Sequence, residues 1–491
     1  MTMRIFLAAP LLLIAACGQS GPEGARLAVT VVGDADRPDS LARRLADEAT
    51  LPTLIARDGA GQTVAGLASS WRFVDDGRSL ILRLRPVKWS DGKPLESANV
   101  VAAFRRAATA REAVVAQSGL TGADAIAARR LPATRLGVMA PIARVVELRL
   151  DSASPLLLGW LAEPGLAVVR ADATLADYKA SGTPAQRVLK RTRMAASPEA
   201  RPAEITITGN PDAAAAVAAF VAGKTDIVIG DGIEGLGQAR TVARNDALRI
   251  DPLWGVYGYV ANTLKGPLAD AGVRRALAMA IDRPAVVAQF GIAAIAPVEG
   301  LLPPVLGGAA PAWQALDGDA RLAEARRLVA AAGWTADRPL RLVLLLPPGR
   351  EHRTIAEAVA ADWARIGVLL AVSQVDAETH DRLLAKGDFE LAVTESSLPV
   401  PDAAALLARW RCGVSAYCNR EADTLLAEAR GTAPATRPGV LAGAEAAMLE
   451  GPPMIPLFTP VRWALVGRQV DGWVPNRAAS HPLPRLGIDR R

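Results

Sequence analysis

Few side chains in this sequence have the type and spacing that bond-making chemistry requires. Its three histidines, His352, His380 and His481, are scattered, and no Gly-x-Ser-x-Gly elbow, His-Glu-x-x-His pair or phosphate-cradling glycine loop occurs. Neither a catalytic centre nor a cofactor or bound metal is expected. Cysteine is more informative. Cys412 and Cys418 lie close together in RCGVSAYCNR; a metal site there would need further ligands, and the histidines are far away in sequence, so the disulfide is the favoured reading over metal. In an oxidising compartment the pair should form a disulfide, worth roughly 2–3 kcal/mol for so short a loop. Cys17 closes a different pattern: a single Arg4, an apolar run from Ile5 to Ile14, then small residues. That run is too short for a membrane-spanning helix and reads as an export signal, residues 1–16. Ile14-Ala15-Ala16-Cys17-Gly18 looks like a lipobox, leaving Cys17 lipidated ahead of a polar tether, residues 17–26. The mature chain is thus expected in the periplasm as a membrane-anchored lipoprotein.

The elements that must position any site fit a large α/β protein. With 491 residues there is length for two or three lobes with their own cores. The net charge of +6 comes mostly from arginines spread along the chain, without a basic cluster interleaved with aromatics, so nucleic acid is not an expected partner. Leu80, Leu82 and Leu84 alternate as in a buried strand bounded by the turn signals Asp76-Gly77 and Ser90-Asp91-Gly92. Glu204–Thr208, Asp226–Ile229, Leu340–Leu346, Val368–Val372 and Phe389–Val393 read as further strands. Helices are predicted between them, with Ile355, Val359 and Trp363 sharing one face. Strands separated by helices predict a mainly parallel sheet covered on both sides.

Several segments resemble the family 5 extracellular solute-binding proteins, which feed peptides and similar solutes to ABC importers. They are Leu67-Ala68-x-x-Trp71, Asp75-Asp76-Gly77, Lys88-Trp89-Ser90-Asp91-Gly92, the helix Val273–Arg283 (VRRALAMAIDR), the helix Asp319–Trp334 and the return segment Glu450–Phe458. The resemblance implies a two-lobed, type II periplasmic binding protein fold with an extra inserted α/β domain. Residues 27–49, 164–259 and 459–491 would form the first lobe, residues 50–163 the inserted domain and residues 260–458 the second lobe. The implied function is the substrate-binding component of an ABC transporter: a monomer that captures a solute, peptide or related, by lobe closure and presents it to a permease and its ATPase. The alternatives are a binding protein for a non-peptide solute, such as a metal chelate, oligosaccharide or opine-like compound, or an envelope sensor without transport. Gly18 after Cys17 resembles the outer-membrane sorting pattern, which fits poorly with an inner-membrane permease.

The resemblance also supplies ligand-binding candidates. Trp254, Tyr257 and Tyr259 lie in WGVYGYVANT, which by resemblance runs along the cleft; Ser396, Ser397, Asp402, Trp410 and Arg411 belong to or follow the matching loop. Aromatics with polar handles suit a cleft that covers varied side chains, although core packing explains Trp254 and Trp410 equally well. Trp71 and Trp89 are assigned to the fold. In peptide-binding relatives an acidic residue of this loop holds the α-amino group, and here Pro399 stands at that place. A buried ammonium would need another counter-charge, with Glu395 or Asp402 as substitutes. Asn419 and Asp423 are expected to cap a helix.

Overall fold

The computed structural model describes residues 24–192, 202–243 and 246–489. The expected export signal and Cys17 lie outside them. Among the described residues no helix is long and apolar enough to cross a membrane.

The first sheet has seven strands, in the order Leu248–Pro252, Val461–Val466, Ile227–Gly230, Arg26–Val32, Glu204–Asn210, Gln186–Arg191, Tyr178–Gly182. Its centre is parallel: Arg26–Val32 runs with both Glu204–Asn210 and Ile227–Gly230. The crossover helix Ala213–Val221 starts where Asp212 accepts hydrogen bonds from the Ala214 and Ala215 amides, the capping role that short acidic side chains fill best.

The second sheet is mixed, in the order Val368–Gln374, Leu340–Leu346, Leu391–Leu398, Trp254–Ala261, Met454–Phe458. The first three strands are parallel, as the alternation of strands and helices predicts. Trp254–Ala261 runs antiparallel to both its neighbours: it enters from the first lobe, whereas Met454–Phe458 leads back to it. The helix Arg350–Ala364 buries Ile355, Val359 and Trp363 on this sheet, and the Trp363 indole N–H donates to the Leu277 carbonyl at 3.0 Å.

Two chain crossings join these sheets. Leu248–Pro252 passes straight into Trp254–Ala261, and Met454–Phe458 into Val461–Val466. They run side by side, the Leu253 amide donating to the Pro460 carbonyl at 2.8 Å. The first crossing at Leu253 precedes residue 259, where the sequence reading ended the first lobe, so Trp254, Tyr257 and Tyr259 all stand on the second sheet.

The inserted region carries a third, antiparallel sheet, Ala68–Val74, Ser79–Leu84, Val145–Arg149 and Val138–Ile142, with the helix Ser97–Ala110 against it. Leu80, Leu82 and Leu84 are fully buried. The turn before them holds Asp75 and Asp76 at φ 53° and Gly77 at φ 84°, a left-handed run that Asp and Gly tolerate best. Trp89 lies in this core under the Arg170 guanidinium. Val400, from the second lobe, packs into the same core.

Candidate functional site

Polar side chains from both lobes meet beside the two crossings. Glu395 interrupts an otherwise apolar strand start and faces the first lobe: its Oε2 would lie 3.8 Å from a Cβ placed on Gly232. Burial pushes the Glu395 carboxyl up to about 7, the Asp231 charge adds to this, and a hydrogen bond from Ser397 (2.9 Å to Oε1) together with Arg462 and Arg409 opposes it. Yet Glu395 keeps accessible surface. A carboxyl that protein largely desolvates and that stays partly accessible is one a solute held between the lobes can reach. Arg409 behaves alike: it is exposed, donates to the Ser396 hydroxyl at 2.9 Å, and burial lowers its pKa. On the facing lobe Asp231 accepts from Arg462 Nη2 at 2.8 Å.

A second acidic pair crosses the junction nearby. Burial, and then the Glu351 charge, pushes Glu234 up to about 7. Glu351 in turn accepts from the Gly237 amide at 3.3 Å. His352, one residue on, is lowered to about 4 by burial and by His380, so it is neutral near pH 7. Its Nδ1 shares a hydrogen bond of 2.7 Å with the Tyr257 hydroxyl, whose own ionisation burial suppresses.

The remaining candidates divide between this junction and the packing around it. Trp254 is half-buried beneath the Arg477 guanidinium, 5.3 Å from its ring centroid. Tyr257 stacks on Phe458, and Tyr259 is fully enclosed, edge-on to Trp363. Ser396 is buried under Arg409, and Ser397 points to Glu395. Asp402 caps the helix Ala403–Ala408 by accepting from the Ala405 amide at 3.0 Å and also accepts from the Trp160 indole at 3.3 Å. Both its oxygens are thus engaged, one capping its own helix and the other joining the second lobe to the inserted domain. Beside it Val400 sits against Gly159, where any Cβ would come within 3.1 Å. Trp410 is buried in the second lobe's core; Arg411 is half-buried and forms no ion pair among the described residues. Cys412 and Cys418 are joined in a disulfide, Asn419 caps Arg420–Gly431, and Asp423 accepts from the Cys412 amide.

The lobes touch at their rim as well, where Arg37 bridges Asp39 and, across the junction, Asp381 at 2.5 Å. Both partners of the interlobe pair are substantially exposed, so it contributes at most about 1 kcal/mol to closure. Arg37→Ala is expected to weaken ligand affinity less than fivefold by calorimetry; a larger loss would mean the contact is more deeply desolvated than its exposure indicates.

A family model described as bacterial extracellular solute-binding proteins, family 5 Middle, matches residues 62–417. The chain belongs to this family. It is 26% identical over 437 residues to the probable deoxycholate-binding periplasmic protein YgiS of Escherichia coli, covering 82% of this chain and 81% of that protein. It is 24% identical over 466 residues to the periplasmic oligopeptide-binding protein OppA of the same organism, covering 88% and 84%. Among solved structures, Haemophilus influenzae OppA in complex with RPPGFSPFR superposes with a TM-score of 0.82 at 20% identity, covering 95% of this chain and 99% of that one. The two-lobed binding-protein architecture is therefore that of the family.

Residues 231, 395, 409 and 462 are too far apart for local spacing to unite them. The one legible signal was an acid, Glu395, inside the strand Leu391–Leu398.

Proposed function

We propose that this family member is the substrate-binding component of an ABC importer and captures an amine-bearing solute, a short peptide above all, between its two lobes. The observation that carries the reading is Glu395 of the second lobe set against Gly232, Asp231 and Arg462 of the first. A ligand that touches both lobes stabilises the closed arrangement by as much as its affinity for the two arrangements differs. An ammonium group would offset the repulsion between Glu395 and Asp231, which otherwise costs closure. In this reading Glu395 takes the part of the acidic anchor that Pro399 lacks. Trp254, Ser397 and Arg409 bound the recess, and the mostly enclosed Tyr257, Tyr259, Ser396, Asp402 and Trp410 hold its walls in place, with Arg411 at its margin. The mature protein is a periplasmic monomer held to a membrane by acyl chains on Cys17 and read by an inner-membrane permease. No step in this cycle makes or breaks a bond in the solute.

A second reading is favoured by Arg409, which is exposed and, among the described residues, forms no ion pair, Glu395 acting on it only at longer range. An anionic amphiphile such as a bile acid, the ligand class in the name of YgiS, would meet it. Thermal-shift measurements separate the two. Free tri- to pentapeptides are expected to raise Tm by several degrees, N-acetylated ones much less and deoxycholate not at all. Stabilisation by deoxycholate alone overturns the amine reading. X-ray scattering should show compaction only with the ligands that raise Tm.

A further inference from the structure

The inserted domain carries a second recess, lined by none of the residues at the lobe junction. It holds roughly 380 Å³, and Arg111, Arg129 and Arg130 line it around an apolar floor of the buried Ala108 and Ile126, with the exposed Leu131 also on the lining. Two of these arginines occupy unusual backbone positions. Arg111 ends the helix Ser97–Ala110 at φ 59°, and Arg129 follows the helix Ala123–Ala127 at φ 60°. Left-handed helix ends are where glycine is the least strained residue. Here both carry a long cationic side chain instead, and the two ends converge on one hollow.

No carboxylate answers this charge. Among the described residues none of the three arginines has an acidic partner within 4 Å. The nearby acids are turned elsewhere: Asp124 pairs with Arg430, and Glu112 approaches Gly165. Three guanidinium groups around a shared concavity, without counter-charge, create a positive potential that concentrates anions. Their planar, forked donors match the oxygens of a phosphate group better than a point charge does. The apolar floor suits a ligand whose phosphate is attached to a hydrocarbon or glycerol portion.

From this we infer that the recess of the inserted domain is a binding site for a phosphate-type oxyanion, either a free phosphate ester or the headgroup of an anionic phospholipid. It is independent of solute capture between the lobes. In the periplasm it would tie occupancy of the inserted domain to a membrane surface or to a phosphorylated solute.

The test uses the full chain carrying Cys17→Ser, so that no acyl group obscures membrane binding. Calorimetry with glycerol 3-phosphate and inorganic phosphate, and sedimentation with phosphatidylglycerol or phosphatidylcholine vesicles, distinguish the two sources. The variant is R111G/R129G, which removes two charges while relaxing the backbone, so misfolding is not its expected outcome. Saturable one-site binding of a soluble phosphate, or selective binding to phosphatidylglycerol vesicles, weakened at least tenfold in R111G/R129G, is the expected result. The peptide-induced thermal shift should be unchanged in that variant, which separates this site from the interlobe reading. Absence of both binding modes, or equal affinity in R111G/R129G, overturns the inference.

Discussion

Glu395→Gln should weaken binding of a peptide with a free α-amino group by about 100-fold, the magnitude expected when one partner of a largely desolvated charge pair is removed. The substitution keeps size and one acceptor, so the Ser397 hydroxyl retains its bond while the ligand ammonium loses its counter-charge. The pH dependence follows from the carboxyl being pushed to about 7. Below that pH the group holds a proton that the ammonium must displace, so affinity is expected to fall by up to tenfold per unit between pH 7 and pH 5. In Glu395→Gln this fall should be absent.

Stability moves in the opposite sense. A carboxyl whose folded pKa lies above its unfolded value contributes stability that is complete below about 4.5 and is lost as pH rises through about 7. Unliganded wild type should thus lose roughly 1–3 kcal/mol across that window relative to Glu395→Gln, after allowance for the accessible surface of the side chain. Glu234, raised for the same reason, adds a second fall in the same window that the variant keeps. Calorimetric affinities at pH 5.5, 7 and 8, with urea midpoints at the same pH values, check both halves. An unchanged affinity in Glu395→Gln removes this residue from the site.

The sequence reading located elements well where one pattern dominated. Leu80, Leu82 and Leu84 alternate in register with the pleat, and Trp363 completes a helical stripe, so both stretches follow from spacing alone. Of the helix caps, Asn419 was legible and accepts from the Ala422 amide, whereas Asp212 and Asp402 cap their helices without having been read as caps. Sheet direction at the crossings was not. Trp254–Ala261 has nearly the buried composition of a parallel strand, and only its pairing to Leu391–Leu398 reveals the reversal. The candidate site was least legible because its members come from four distant segments. Asp402 looked like a loop acid free to meet a ligand. Its position as the cap of a helix and the hydrogen bond it accepts from Trp160 became visible only in the folded chain. Glu395 carried its own signal, since burying a carboxylate in a strand is costly unless something compensates it.

Glu445 obeys the same rule without any ligand, and Glu445→Ala is expected to be the most destabilising of the substitutions considered. The side chain is 1% exposed and accepts three backbone amides, from Leu301 (2.7 Å), Leu302 (2.9 Å) and Ala309 (2.7 Å). It thereby ties the helix Arg437–Leu449 to an irregular loop with few internal hydrogen bonds of its own. Gly300 and Gly308 fit because a Cβ at either would lie within 2.6 Å or 2.4 Å of the carboxylate oxygens. Burial still outweighs the three donors and raises the carboxyl above its ordinary range, so the net worth of the arrangement is modest. The cost of breaking it is not. Truncation leaves two buried N–H groups and the part-buried one of Ala309 without an acceptor, at about 1–3 kcal/mol for each buried group before water enters the cavity, giving an expected loss of about 4 kcal/mol in urea unfolding. Glu445→Gln retains one oxygen but sets its amide N–H against one of the donors, so roughly half that loss should result. If Glu445→Ala lowered stability by less than 1 kcal/mol, the loop would have to find acceptors elsewhere, and the carboxylate would not be what holds residues 300–309 in shape.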